Sequence, residues 1–350
     1  MPYLMTRYFI FSFALLICLA VIAFSLPING KTAGNANDTL ISLKPIRMCG
    51  APLRPKNDRE LNCLRGEIHF AHRETVPLIK RDGAYVDGHP TQLRDAIYNR
   101  QGNATEEVVY GFDFNYAKHV DSRVVFTYDS NGRATGWEDY ADGLPVPAIS
   151  KYIYNEKGYK VKAEVTRADG TVRATSSFTY DAKGRSVEAL YENSEGMSGR
   201  SIIDTYDDNG NLIRQVSRNT DGSMFWTGIY KYNAQGNRID EQTYQTDSQG
   251  KVISNARIAS KYDEQGFRVE EYNYGADGAL KTKVVFAYDN KSSITSITAY
   301  KSDGTFNGRS LYSYEYDAQG NWTKCVHLNQ KTAAAEPEAY YVEYRTLTYY

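Results

Sequence analysis

Residues 178–185 read Phe-Thr-Tyr-Asp-Ala-Lys-Gly-Arg. Phe178 and Tyr180 are two apart, so on a strand they share a face. Asp181 has the chemistry of the first residue of a type I turn, with a carboxylate able to accept backbone N–H groups ahead of it. Gly184 suits the left-handed position that follows. The stretch therefore predicts a strand running into a tight hairpin with a glycine bulge.

It is one copy of nine. Tyr98, Tyr128, Tyr154, Tyr180, Tyr206, Tyr232, Tyr262, Tyr288 and Tyr316 each stand four residues before a glycine, or before Ser292 in the eighth copy, at intervals of 26 to 30 residues. Midway between these turns lies a second set of turn glycines: Gly143, Gly170, Gly196, Gly222, Gly250, Gly278 and Gly304. Each unit is then two strands and two turns, with roughly nine residues per strand. Short connections force an antiparallel up-and-down meander. Nine units of about 26 residues give an all-β chain of about 17–18 strands, too many for a flat sheet, so the sheet is expected to coil or to close.

Aromatic pairs recur in phase at Phe126/Tyr128, Tyr152/Tyr154, Phe178/Tyr180, Tyr230/Tyr232, Phe286/Tyr288 and Tyr314/Tyr316, and are expected to form a ladder along one rim. Tyr128, Tyr154, Tyr180, Tyr232, Tyr288 and Tyr316 are the candidate ligand-contact aromatics, since an exposed phenol ring can stack on a sugar face. A β-branched residue returns three positions after most turn glycines (Thr135, Val161, Val187, Ile213, Ile239, Val269, Thr323), as if the strand resumed there into a buried face. At Tyr288-Asp-Asn-Lys-Ser292 serine replaces glycine, and a left-handed serine costs about 1 kcal/mol. This turn is expected to be altered or loose.

Repeated Tyr-Asp-x-x-Gly turns followed by a strand and a further Tyr-x-Tyr resemble the YD-repeat (RHS-repeat) family, over about Tyr98 to Tyr350. The resemblance implies a long coiled β-sheet, export or display at a bacterial cell surface, and either carbohydrate binding or enclosure of a toxic C-terminal domain. The chain stops at Tyr350, straight after its last expected strand, so no passenger of that kind is expected. The second glycine turn makes the unit longer and more even than the usual family repeat.

Ahead of the repeats, residues 1–25 hold Arg7 and then an apolar run, with Ala23 and Ser25 suited to cleavage before Leu26. They read as an export signal, or as an uncleaved anchor if retained. Residues 26–89 lack the period and are assigned to an N-terminal cap, and residues 90–350 to the repeat domain. In an oxidising compartment Cys49 and Cys63 could close a short loop by a disulfide, leaving Cys325 as a buried free thiol on a strand.

Lys plus Arg (41) and Asp plus Glu (42) nearly cancel, which gives no electrostatic reason for nucleic-acid binding. His69 and His72 lie on a stretch that reads as strand, where they point to opposite faces and make a poor metal pair. No nucleophile, base and oxyanion set can be assembled, so no catalytic, cofactor or metal residue is named and no cofactor is expected. The leading reading is an exported, non-enzymatic β-repeat protein, structural or surface-binding, secreted, periplasmic or at the cell surface. Its expected partner is carbohydrate or another cell-surface protein, and it meets a membrane only if the N-terminal segment is retained. An outer-membrane β-barrel and a secreted hydrolase on a repeat scaffold are the alternatives.

Overall fold

The computed structural model describes residues 57–113, 115–141, 147–167, 169–193, 200–219, 221–247 and 249–350. All described residues belong to one compact unit, Arg47–Tyr350. The expected signal, Cys49, Gly143 and Gly196 lie outside the described residues.

One short helix, α1 (Asp58–Leu61), precedes the strands β1 (Ile68–Arg81), β2 (Ala84–Asp87), β3 (Gln92–Tyr98), β4 (Ala104–Phe112), β5 (Lys118–Tyr128), β6 (Ala134–Ala141), β7 (Ala148–Tyr154), β8 (Lys160–Thr166), β9 (Val172–Tyr180), β10 (Ser186–Asn193), β11 (Arg200–Tyr206), β12 (Leu212–Asn219), β13 (Met224–Tyr232), β14 (Arg238–Thr246), β15 (Val252–Tyr262), β16 (Arg268–Tyr274), β17 (Leu280–Tyr288), β18 (Ile294–Lys301), β19 (Phe306–Tyr316), β20 (Trp322–Gln330) and β21 (Glu338–Tyr349). From β3 to β21 each strand pairs antiparallel with the next. β1 then joins the two ends, pairing with β21 through Ile68–Pro77 and with β3 through Phe70–Thr75. The meander is a closed ring of 20 strands, with β2 a side hairpin on β1.

The ring exceeds the expected 17–18 strands for two reasons, since nine two-strand units account only for β3–β20: β21 follows the ninth unit, and β1 comes from the segment assigned to the cap. Residues 68–81 carry no Tyr-Asp-x-x-Gly turn, yet β1 is the strand that removes both sheet edges. Closure was one of two outcomes left open by periodicity, which is blind to whether the last strand meets the first.

Both rims use one turn. At Asp181 the N–H donates to Arg185 O (2.9 Å), Gly184 N–H donates to Asp181 O (3.0 Å), and Gly184 has φ +77°. The Asp181 carboxylate accepts the backbone N–H groups of Lys183 and Arg185, both at 2.9 Å. Those backbone donors, the Arg185 N–H foremost, hold the Asp181 carboxyl below the usual range. The opposite rim repeats the hydrogen-bond pattern at Gly170, Gly222, Gly250, Gly278 and Gly304.

The Ser292 turn is not loose. Its φ is +70°, its N–H donates to Asp289 O at 3.1 Å, and Asp289 Oδ1 accepts from Lys291 N and Ser293 N as Asp181 Oδ1 does from Lys183 N and Arg185 N. Two further ties hold it: Tyr316 donates its hydroxyl to Asp289 Oδ2, and the Lys291 ammonium sits 4.0 Å from the Tyr316 ring centroid. The strain remains, so Ser292→Gly is expected to stabilise the fold by about 1 kcal/mol; equilibrium urea denaturation showing a loss instead would mean that the serine hydroxyl contributes. Tyr116 is a second left-handed residue in a glycine position, with φ +60° and its ring stacked on His89 at 4.1 Å.

Past each Tyr-Asp turn the ladder skips one residue. Tyr206 opposes Leu212 and Thr205 opposes Arg214, which leaves Ile213 as a bulge; Val161, Val187, Ile239, Val269 and Thr323 hold the same place in their units. The β-branched residues thus mark half-buried bulges and not a resumed ladder. A bulge adds local twist, and one in every unit helps bend the sheet round.

The two faces of the wall differ. The face bearing the turn tyrosines carries Ala96, Val124, Val284, Phe286, Cys325 and Glu343, all buried. The residue just before the tyrosine, on the other face, is exposed in eight of the nine copies: Thr127, Ile153, Thr179, Thr205, Lys231, Lys261, Ala287 and Glu315. Side chains on the concave side of a ring converge and those on the convex side diverge, so the tyrosine face is the concave one. Twenty strands at about 4.8 Å spacing give a perimeter of about 100 Å, a size at which barrels enclose a lumen.

Candidate functional site

Each turn tyrosine after Tyr98 ties its own unit to the one before it. Tyr180 donates its hydroxyl to Lys160 O (2.6 Å), Tyr206 to Ser186 O (2.8 Å), Tyr232 to Leu212 O (2.8 Å) and Tyr288 to Arg268 O (2.9 Å). Tyr128 and Tyr154 do the same to Ala104 O and Ala134 O. Every acceptor stands two residues after the preceding turn residue, beyond the last paired residue of the ladder between the two strands. The neighbouring strands have splayed there, and the hydroxyl satisfies a carbonyl that the ladder has left free. Burial raises the Tyr206 and Tyr288 phenols to about 12, so both remain donors through the physiological range. Of the candidate contact residues, Tyr316 differs only in its acceptor, Asp289. All six are half-buried, and each gives its hydroxyl to the protein.

Removing one such hydroxyl leaves a carbonyl unpaired. Tyr180→Phe is expected to cost about 1 kcal/mol, read as a lower urea midpoint with an unchanged slope. No loss would make the bond incidental.

A second grouping lies at the seam where β21, β1 and β3 meet. Register sets Arg345 opposite Arg73, and Arg73 opposite Arg94, so three guanidinium side chains share the concave face of three adjacent strands. Arg73 donates to Glu343 Oε1 through Nε (3.0 Å) and through Nη2. Arg345 lies over Trp322, 3.6 Å from the ring centroid. Its Nη1 is buried with no hydrogen-bond partner. Burial, with the like charge of Arg73 behind it, lowers the Arg345 guanidinium to about 9. Next along β20, Cys325 is buried and free, as expected, and burial raises its thiol to about 12. His327 follows, stacked on Tyr312 at 4.7 Å and meeting Tyr340 and Tyr341 edge-on, with neither ring nitrogen partnered.

The N-terminal histidines do not combine. His72 Nδ1 and Asp95 Oδ1 are 2.5 Å apart and His72 Nε2 is 3.0 Å from Glu74, whereas the His69 ring packs edge-on to Tyr350. Among the described residues no group of three or more His, Cys, Asp or Glu could hold a metal ion.

The family model of the teneurin YD-shell matches residues 147–285, which hold five of the nine turns. The matched stretch is a run of YD repeats. The same turn continues on both sides of the matched stretch, from Tyr98 to Tyr316, and the tyrosine tie from Tyr128 to Tyr288, so the YD array extends beyond it. No curated protein matches the sequence significantly. Among solved structures, a porin-like protein from Bacteroides uniformis ATCC 8492 aligns with 80% of this chain and 98% of its own at 13% identity and a TM-score of 0.37. The Tc holotoxin pore of Photorhabdus luminescens aligns at 13% identity and a TM-score of 0.21, over 77% of this chain and 18% of its own. The chain thus spans about a fifth of that toxin chain's length.

Sequence reading of the YD turns found the tyrosines but not the seam. Arg73 and Glu343 are 270 residues apart, and only ring closure sets them side by side. The single usable signal was Trp322, one of 3 tryptophans, standing where the other units place a small, aliphatic or basic residue.

His327 gives the YD barrel an acid-sensitive point. Burial lowers its pKa from 6.5 to about 4. Between those values the unfolded chain takes up a proton that the folded chain refuses. Its contribution is therefore full above about pH 6.5, declines as pH falls, and is exhausted near pH 4. The loss amounts to about 3 kcal/mol. Stability measured from pH 7 to 4.5 should fall less steeply in His327→Phe than in the parent; parallel curves would place the acid sensitivity elsewhere.

Proposed function

We propose that this chain is an exported, non-enzymatic protein that uses a rigid closed barrel as a scaffold for surface binding, with carbohydrate or another cell-surface protein as partner. The observation that carries the scaffold reading is the chain of tyrosine ties, one per unit, which commits the most repeated side chain of the sequence to joining neighbours. Export is supported by the apolar N-terminus and by Cys63, which is disulfide-bonded, a state that belongs to oxidising compartments. The expected partner of that bond, Cys49, lies outside the described residues. For sugar stacking, exposed rings such as Tyr85, Tyr116 and Tyr340 are better placed than the six turn tyrosines.

Closure into a ring favours an outer-membrane barrel as the second reading. The convex face opposes it. Mid-strand ion pairs cross it, Arg123 with Glu106 (2.6 Å), Arg257 with Asp240 (2.6 Å), and Glu270 with both Lys283 (2.6 Å) and Lys261 (2.9 Å). Hydrogen bonds from these partners, Lys283 first, hold the Glu270 carboxyl at about 2. Such pairs suit water and not acyl chains.

The test is fractionation of cells expressing the full chain, followed by a glycan array with the released or extracted protein. The proposal expects an exported pool that is lost when residues 1–25 are deleted, and extraction without detergent once the signal is removed. Cytosolic retention of the full chain would overturn export, and a detergent requirement for the signal-less chain would favour the membrane barrel.

A further inference from the structure

Three arginines placed directly opposite one another on neighbouring strands are an arrangement that repulsion disfavours. Here Arg94, Arg73 and Arg345 form such a row on the concave face. Three carboxylates stand near: Glu343 against Arg73, Glu107 within electrostatic reach of Arg94, and Asp58 within reach of Glu107 and Tyr98. Burial raises the pKa of both Glu107 and Asp58, so the positive charge is balanced only where both of these buried carboxyls ionise.

The surplus sits on Arg345. Glu343 Oε1 is already shared by Arg73 Nε, Arg73 Nη2 and Thr75 Oγ1. The Arg345 side chain makes no hydrogen bond among the described residues, and its Nη1 is sealed from solvent. What positions it is the face of Trp322 at 3.6 Å, a contact that fixes the guanidinium plane while leaving its N–H edge unused. Arg345 is deeply enclosed, yet the residue as a whole keeps part of its surface open. Both hold together where a side chain lines an internal space. Arg73, half open, shares that space, with its guanidinium 5.7 Å from the same indole centroid.

A planar guanidinium held by stacking, flanked by two others and lacking a partner, is the donor set that recognises an oxyanion by paired N–H···O bonds. We propose that the seam of the barrel is a binding site for an oxyanion group, a carboxylate or a phosphate, held by Arg345 with Arg73 and Arg94 against the wall formed by Trp322. The group would supply the missing negative charge and the missing acceptor at once. It can be a free ion or the acidic group of a larger molecule such as a uronic acid.

Calorimetric titration of the full chain with inorganic phosphate, glucuronate and glucose, each against sodium chloride at matched ionic strength, tests this. Saturable one-to-one binding is expected for phosphate, glucuronate or both, and none for glucose; phosphate binding identifies a free-ion site, and glucuronate alone identifies an acidic-sugar site. Affinity should fall at least tenfold in Arg345→Gln and stay unchanged in Lys331→Gln, a change on the exposed surface. Labelling of the unmutated chain with phenylglyoxal gives a reading that does not depend on a variant folding. Ligand should protect Arg345 and Arg73 and leave Arg133 on the rim as reactive as before. Absence of saturable binding by either anion, equal binding by Arg345→Gln, or equal labelling at Arg345 with and without ligand would each overturn the proposal.

Discussion

Gly136→Ala is expected to be the most damaging single substitution in the wall, costing about 4 kcal/mol or more. Gly136 lies within β6, opposite Lys151 of β7, and a β-carbon built there would stand 2.0 Å from the carbonyl oxygen of Ser150. That obstacle is backbone already fixed by pairing, so no side-chain rotation relieves it. Either β6 and β7 separate locally or the ladder shifts. Because the wall is a ring, the displacement has no free edge through which to dissipate. Gly170→Ala is the control: its φ is +79° but nothing lies within 4 Å, so only the conformational cost of about 1 kcal/mol is expected. Urea denaturation of the two variants separates close approach from turn conformation. Equal losses would show that strand crowding at Gly136 is unimportant.

Ile68→Ala should cost about 4 kcal/mol and should act on closure. Ile68 is fully buried at the start of β1, packed with Leu64, Ala96, Tyr98 and Ala104. Around it the first and last strands are tied together: it opposes Tyr349, the Tyr350 N–H donates to Glu67 O (3.0 Å), and the Tyr350 hydroxyl donates to Tyr98 O (2.6 Å). Just before it, α1 and its flanks are pinned to the first YD turn, Arg59 donating to Arg100 O (2.9 Å) and Asp58 Oδ2 accepting the Ala104 N–H (2.7 Å). Truncating Ile68 leaves a cavity at the joint, so amide exchange should quicken first along β1, β21 and β3. Uniform quickening around the ring would mean that the seam is no weaker than the rest of the wall.

The readings that held are those whose physics is local. Asp181 and Gly184 specify a turn within five residues, and Asp or Asn with Gly in eight of the nine copies specifies the same hairpin on one rim. Ser292 shows the limit of that reasoning. Intrinsic preference argues for a loosened turn, but the backbone pattern and the ties from Tyr316 and Lys291 outweigh about 1 kcal/mol of strain. The bulge residues are another such case, because Ile213 and its equivalents look like ordinary strand residues until the partner strand shows that one of them has no opposite number.

By itself the sequence determined an all-β meander, the position of its turns and the face carried by its tyrosines, since strand alternation and turn chemistry act over a few residues. Only the tertiary structure decided that β1 closes the ring, that the turn tyrosines tie neighbouring units through backbone carbonyls, and that Arg73, Arg94 and Arg345 share one concave patch. The reason is register. Which residues oppose one another across the seam depends on the accumulated offsets of 20 strands, a sum that no single repeat contains.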